Sequence, residues 1–272
     1  MDKPAEKRQF AWQPLTPRGV AAFATASFGR LWVVQLIAAC LAGLCIIWFL
    51  NRAWAPVISA AIEQLPARSE IRHAKLNWQD LSPQCLAENR FLAISIDLNH
   101  QGKARSPAHV QIELGDSTVK VLSLLGFIEV SYPDGWRIAL GRAEVGPWWG
   151  AWKPALLAIA GGAVLVALML LWPILALLYS GPAWLIAYFS NRETTWLGSW
   201  RLAQAALVPA ALLFSLAVVL YGLGILDLLL LFIAFGLHIL VGWIYAATAA
   251  FCLPLQKDEA PVKENPFTAK DG

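Results

Sequence analysis

The chain has 272 residues, 58% hydrophobic and only 14% charged, where a soluble globular chain carries about 25% charged. This excludes one large soluble core. A net charge of +3 without a basic run of five or more residues points away from nucleic acid. The charges crowd into residues 1–30, 51–153 and the C-terminal tail, as expected for a membrane protein with soluble attachments.

Residues 1–30 form a basic tail with Lys3, Lys7, Arg8, Arg18 and Arg30. Thr16-Pro17 is a helix start, with Thr as N-cap and Pro in the first turn. Val20, Phe23, Ala24 and Ser27 then share a face, which suits a short surface helix; a flexible tail is the equal alternative. Leu31–Leu50 follows without an ionisable carboxylate or amine, and about 20 apolar residues cross a bilayer as a helix. Ile37-Ala38-Ala39-Cys40 has the look of a lipoprotein cleavage box. The apolar run nevertheless continues past Cys40, and a long tail precedes it, so the segment reads as a retained first span.

Residues 51–153 read as a soluble domain. Trp54, Val57, Ile58, Ala61, Ile62 and Leu65 keep helical spacing until Pro66. The period then changes to two. Ile71–Trp78 is a candidate strand; Leu92, Ile94, Ile96 and Leu98 alternate with polar or small residues, as do Val110, Ile112 and Leu114. Ser117–Leu122 is a weaker strand. Ile128, Val130 and Tyr132 lead into the Pro133-Asp134-Gly135 turn, and Trp136, Ile138 and Leu140 return. One helix and five or six mostly antiparallel strands with one apolar face make an α+β module.

Little in that module points to chemistry. His73, His100 and His109 share no metal-ligand spacing with one another or with Cys85. Asp80, Asp97, Asp116 and Asp134 lie at or beside turns, where Asp bonds its own backbone. A phosphate loop and a serine elbow are both missing from the sequence. We therefore expect no catalytic residue, metal or cofactor, and no enzyme. Cys40, Cys45 and Cys252 belong to apolar segments, so Cys85 is alone in the soluble part.

Residues 154–254 read as a membrane bundle. The spans expected are about 155–179, kinked near Pro173 and broken at Ser180-Gly181-Pro182, then 202–221 and 228–251. Thr194 or Thr195 caps the second of these, and Gly222-Leu223-Gly224 separates the last two. Residues 255–272 are charged and poor in apolar residues, hence expected to be disordered. Trp32 and Trp48 bracket the first span; Trp148, Trp149 and Trp152 precede the second, where an aromatic belt meets the headgroups. The lipid bilayer is thus the first partner implied.

Basic residues in the short loops set the orientation. The N-terminal tail has five, residues 180–201 have Arg192 and Arg201, residues 222–227 have none, and the C-terminal tail has Lys257, Lys263 and Lys270. Both termini are expected in the cytoplasm of a bacterial inner membrane, with residues 51–153 outside. The fold class is then an α-helical polytopic membrane protein of four spans, with an extracytoplasmic α+β domain between spans 1 and 2.

Asp227 opens the fourth span and His238 lies near its middle, three turns apart and so on nearly one side. They form a candidate intramembrane polar face for proton or ion transfer, or else a headgroup residue and a neutral carbonyl-bonded imidazole. Gln35 and Gln204 are candidate interhelical hydrogen-bond partners. Ala39, Gly43, Gly161 and Gly162 offer small-residue faces for close helix packing or a homo-oligomer.

Lys75–Trp78 and Phe91–Leu98, within this layout, resemble the start of the outward domain in uncharacterised bacterial multi-pass proteins. The resemblance implies an outward β-rich domain and, from some relatives, a link to maltodextrin utilisation; it carries over no functional residue. The reading is a non-enzymatic inner-membrane protein whose external domain binds a protein partner or envelope component. The alternatives are a small transporter or transporter accessory using the Asp227/His238 face, and a sensor lacking its own output domain.

Overall fold

The computed structural model describes residues 12–79 and 82–256; Lys3, Lys7, Arg8, Asp80 and the tail beyond Gln256 lie outside them. Thr16 caps α1 (Pro17–Ala22), its hydroxyl accepting the Gly19 N–H at 3.1 Å, as the Thr-Pro pair implies. Helix α2 (Phe28–Phe49) does not stop at Asn51. It passes through a wide turn, Leu50–Trp54, into α3 (Ala55–Glu63). Pro56 has no N–H to give the carbonyl four residues back. The Ala55 N–H reaches Leu50 instead, and the helix continues through a π turn.

Four helical stretches among the described residues are long and apolar enough to cross a membrane: Phe28–Glu63, α4 (Arg142–Phe189), α5 (Trp196–Gly222) and α6 (Leu228–Phe251). The break expected at Ser180-Gly181-Pro182 does not occur, and α4 runs through it. A proline removes one helical hydrogen bond, whereas ending a helix in apolar surroundings strands several backbone groups. Thr195 Oγ1 accepts the Gly198 N–H at 3.0 Å and starts α5. The expected break between α5 and α6 is present, with Gly224 at φ 78°, where glycine is at home.

Among the described residues, eight strands lie between α3 and α4: β1 (Glu70–Arg72), β2 (Lys75–Asn77), β3 (Gln84–Glu88), β4 (Leu92–Ile96), β5 (Val110–Leu114), β6 (Thr118–Ser123), β7 (Gly126–Ser131) and β8 (Arg137–Ala139). They form two sheets, in the orders β2-β1-β8 and β3-β4-β5-β6-β7. Ile71–Trp78 is thus a hairpin and not one strand. His73 and Ala74 sit at its turn with φ 53° and 55°. All pairings are antiparallel except β4 with β5.

That parallel pair shapes the domain. Parallel neighbours need a crossover of about a dozen residues, and here residues 97–109 supply it without regular structure. Side chains of β5 and of the crossover itself bond three of its backbone groups. Gln111 Nε2 donates to the Ala104 carbonyl at 2.8 Å, Gln111 Oε1 accepts the Ser106 N–H at 3.0 Å, and Asp97 Oδ2 accepts the Lys103 N–H at 3.3 Å. The simple alternation expected for β5 therefore inverts: Gln111 and Glu113 are buried, and Val110, Ile112 and Leu114 only partly so. The opposite face holds the apolar core of Ala61, Ile71, Leu76, Trp78, Leu86, Ile96 and Tyr132.

The Cα packing divides the chain into two compact units, Leu36–Leu170 with Ala211–Ile239, and the remainder. In the first, α2 and α4 approach backbone to backbone: a Cβ on Gly43 would lie 2.8 Å from the Gly161 carbonyl oxygen. Nearer the start of α4, Trp149 Nε1 donates to Ser59 Oγ of α3 at 3.0 Å. Of the small residues expected to pack, Gly43 and Gly161 thus meet inside the chain, while a Cβ on Gly162 would meet nothing within 4 Å. In the second unit, Arg192 donates to the Leu253 carbonyl at 2.7 Å and Trp200 to that of Pro173 at 3.0 Å. There Gln35 and Gln204 are buried. Gln35 Nε2 and both polar atoms of Gln204 lack the hydrogen-bond partners expected of them.

Candidate functional site

The registers of the five-stranded sheet align two apolar rungs across β4 to β7: Ile94, Ile112, Val121 and Ile128, then Ile96, Leu114, Val119 and Val130. Helix α3 covers the β3–β4 side, and Ile94, Leu114 and Val119 pack on the core. The rungs then run out of cover. Ile128 is 68% exposed and Val130 57%, on a strand that is exposed along its whole length and unpaired on its outer edge. Phe127 projects from the other face, and Leu124 and Leu125 form the β6–β7 tip, with Leu125 83% exposed. An apolar edge strand open on both faces is a template for another strand. The Lys120–Glu129 pair, at 3.6 Å, is its only ion pair among the described residues.

Beside this edge a hydrogen-bonded chain crosses the sheet. His100 Nδ1 lies 2.6 Å from Glu113 Oε1 and Nε2 lies 2.8 Å from Thr118 Oγ1, whose hydroxyl donates to Glu129 at 2.9 Å. The order carboxylate, imidazole, hydroxyl has the pattern of an activated nucleophile. Here the hydroxyl proton is committed to a second carboxylate, and the imidazole rests on Gly115, where a Cβ would fall 2.2 Å from Nε2. The chain pins the crossover to β5 and β6. Thr118 holds the Glu129 carboxyl below its usual range. Nearby, burial first, and then Asp116, push the Tyr132 phenol up to about 12; its hydroxyl donates to the Gly115 carbonyl.

A third cluster ties the domain to the α5–α6 loop. Arg90 donates to the carbonyls of Gly224 and Leu226, both at 3.2 Å. His109 Nδ1 hydrogen-bonds the Tyr221 hydroxyl, and its ring stacks on that of Tyr221 with centroids 5.5 Å apart. Phe49 and Phe91 complete the aromatic group. Burial, then the Arg90 charge, lower the His109 pKa, while Asp227 works against them. Next to this joint is a cleft of about 300 Å³ between residues 105–111, the β6–β7 tip and Leu228.

The residues singled out from sequence fall into different roles. Asp227 caps α6, its Oδ1 accepting the Leu230 N–H at 2.7 Å. His238 bonds the Phe235 carbonyl of its own helix and stacks on Phe214. Each has a local partner, and no contact joins them. Trp32, Trp148 and Trp152 are about half exposed, and the last two stack on each other. Trp48 packs on Gly222, and Trp149 bonds α3. Among the described residues, no group of three or more His, Cys, Asp or Glu could hold a metal ion. Residues His100, Glu113, Thr118 and Arg90 were not legible as a set, since each gains its neighbours only through the parallel crossover or the α5–α6 loop. The chain matches no protein-family model, no curated protein and no solved structure.

Proposed function

We propose that this is a multi-pass protein of the bacterial inner membrane, with both termini in the cytoplasm and the β-rich domain outside, and that it works by docking and not by catalysis. The domain takes a protein partner that presents an extended strand with apolar residues at alternate positions. That strand adds to β7 and covers Ile128 and Val130. The observation that supports this is the pair of apolar rungs ending on an exposed, unpaired edge. Main-chain hydrogen bonds would supply affinity, and the alternate side chains specificity.

A photocrosslinking side chain at Ile128, in native membranes, should form an adduct that maps to an extended segment of one partner. Val130→Asp should abolish it. The idea fails if Ile128 labels only lipid, or if Val130→Asp leaves the adduct unchanged. Orientation is checked with Ser117→Cys in a chain whose native cysteines are replaced by serine. An impermeant maleimide should label it in intact cells; protection there, with labelling after lysis, reverses the assignment.

A further inference from the structure

The cleft of about 300 Å³ beside the α5–α6 loop is lined by Arg105, Ser106 and His109 of the crossover, by Leu122, Ser123 and Leu124 of the β6–β7 tip, and by Leu228. Leu228 is the first residue of α6, whose apolar window is only 6% buried. The cleft therefore opens where that helix meets its apolar surroundings. Trp48, packed on Gly222 at the end of α5, marks the same level on α2. From this placement, and resting on the membrane reading above, we propose that the cleft binds the phosphate of a phospholipid headgroup.

The lining suits such an amphipathic ligand. Arg105 is exposed and forms no ion pair with any described carboxylate. Arg90, which acts electrostatically on His109, is engaged by the carbonyls of Gly224 and Leu226. An arginine fork matches phosphate oxygens with two parallel hydrogen bonds, and the Ser106 hydroxyl, which accepts the Ala108 N–H, retains its own proton to donate. Leu124, 65% exposed, and Leu228 offer the glycerol and the first acyl methylenes an apolar wall. A free phosphate would use Arg105 and Ser106 but gain nothing from the leucines.

The test uses the full chain purified in mild detergent and titrated with dihexanoyl phosphatidylglycerol, with the bound fraction read by native mass spectrometry. Arg105→Ala should weaken binding by about tenfold or more, Arg105→Lys should recover part of it, and Leu124→Ser should weaken it too. Arg137→Ala, which removes the Glu70 ion pair elsewhere in the domain, should leave binding intact. Equal binding by wild type and Arg105→Ala overturns the site. Displacement of the lipid by inorganic phosphate at equal concentration, or indifference to Leu124→Ser, makes it a free-anion site and also overturns the proposal. Release of the chain from membranes by alkaline carbonate, without detergent, would instead sink the membrane reading beneath it.

Discussion

Gly43 and Gly161 meet backbone to backbone, so that a Cβ on either would fall about 3 Å from the other's carbonyl oxygen. Ile47 closes the same contact, lying 2.5 Å from the position a Gly161 Cβ would take. Small residues let helices approach in apolar surroundings, where packing and not water exclusion holds them. Gly43→Leu should therefore separate α2 from α4 and lower stability by about 1–3 kcal/mol, read as thermal unfolding in detergent. Gly162→Leu, whose Cβ would meet nothing within 4 Å, should leave the transition unchanged. If both variants unfold alike, the close approach contributes nothing.

Gln204 is fully buried and neither polar atom of its amide has a partner. It lies on α5, the helix whose apolar window is 61% buried, among Leu202, Ala203, Ala205, Ala206 and Leu207. An unsatisfied buried amide costs about 1–3 kcal/mol. Gln204→Leu, similar in volume, should raise stability by about 1 kcal/mol in the same unfolding measurement. A loss of stability would show that the amide has a water or lipid partner.

The crossover offers the converse case. Gln111 bonds Ser95 Oγ at 2.7 Å as well as the Ala104 carbonyl and the Ser106 N–H. Gln111→Leu keeps the bulk but strands all three groups, each worth about 1 kcal/mol or more when buried unpaired. Amide exchange should accelerate across residues 97–109 while the core strands β1 and β2 stay protected. Uniform acceleration would mean that the crossover unfolds only with the whole domain.

The strands were legible because alternation survives without tertiary information: it marks β4 and β5, although it carries on to Leu98 while β4 ends at Ile96. Their parallel pairing was not, since nothing in the sequence of residues 97–109 distinguishes a crossover from a hairpin loop. The consequence fell on Gln111 and Glu113, which look solvated by periodicity and are buried by the crossover. Caps at Thr16 and Thr195 were readable because capping is local. The continuation of α4 through Pro182 depends on the surroundings of the helix. Helical spacing places Asp227 and His238 near one side; the structure adds only that Asp227 Oδ1 accepts the Leu230 N–H and that His238 Nδ1 bonds the Phe235 carbonyl.

Cys85 is a free thiol beside Glu88, with Sγ 3.8 Å from Oε2. Burial, and then the Glu88 charge and hydrogen bond, raise its pKa above the ordinary 9.0. The thiolate is the reactive form, so at pH 8 Cys85 should react with maleimide several times more slowly than a thiol introduced by Ser117→Cys. Glu88→Gln removes the charge and should accelerate Cys85 alone. Equal rates before and after that substitution would discount the carboxylate.

The His109–Tyr221 contact should respond to pH. Burial, and then Arg90, depress the folded pKa of His109 below the ordinary 6.5, with Asp227 opposing in part. Between the depressed folded value and 6.5 the undocked imidazole binds more protons than the docked one, so stability falls as pH falls through that window. Above 6.5 the contribution is complete. Amide exchange at Phe91 and Val110 should therefore quicken when pH is lowered from 7 to 5, after correction for the intrinsic pH dependence of exchange. His109→Gln cannot charge and should flatten that response. Asp227→Asn removes a charge that favours the docked imidazolium, lowers the docked pKa further and so makes the acceleration at pH 5 larger, with its onset still near 6.5. A smaller acceleration at pH 5 would overturn the assigned sign of the Asp227 interaction.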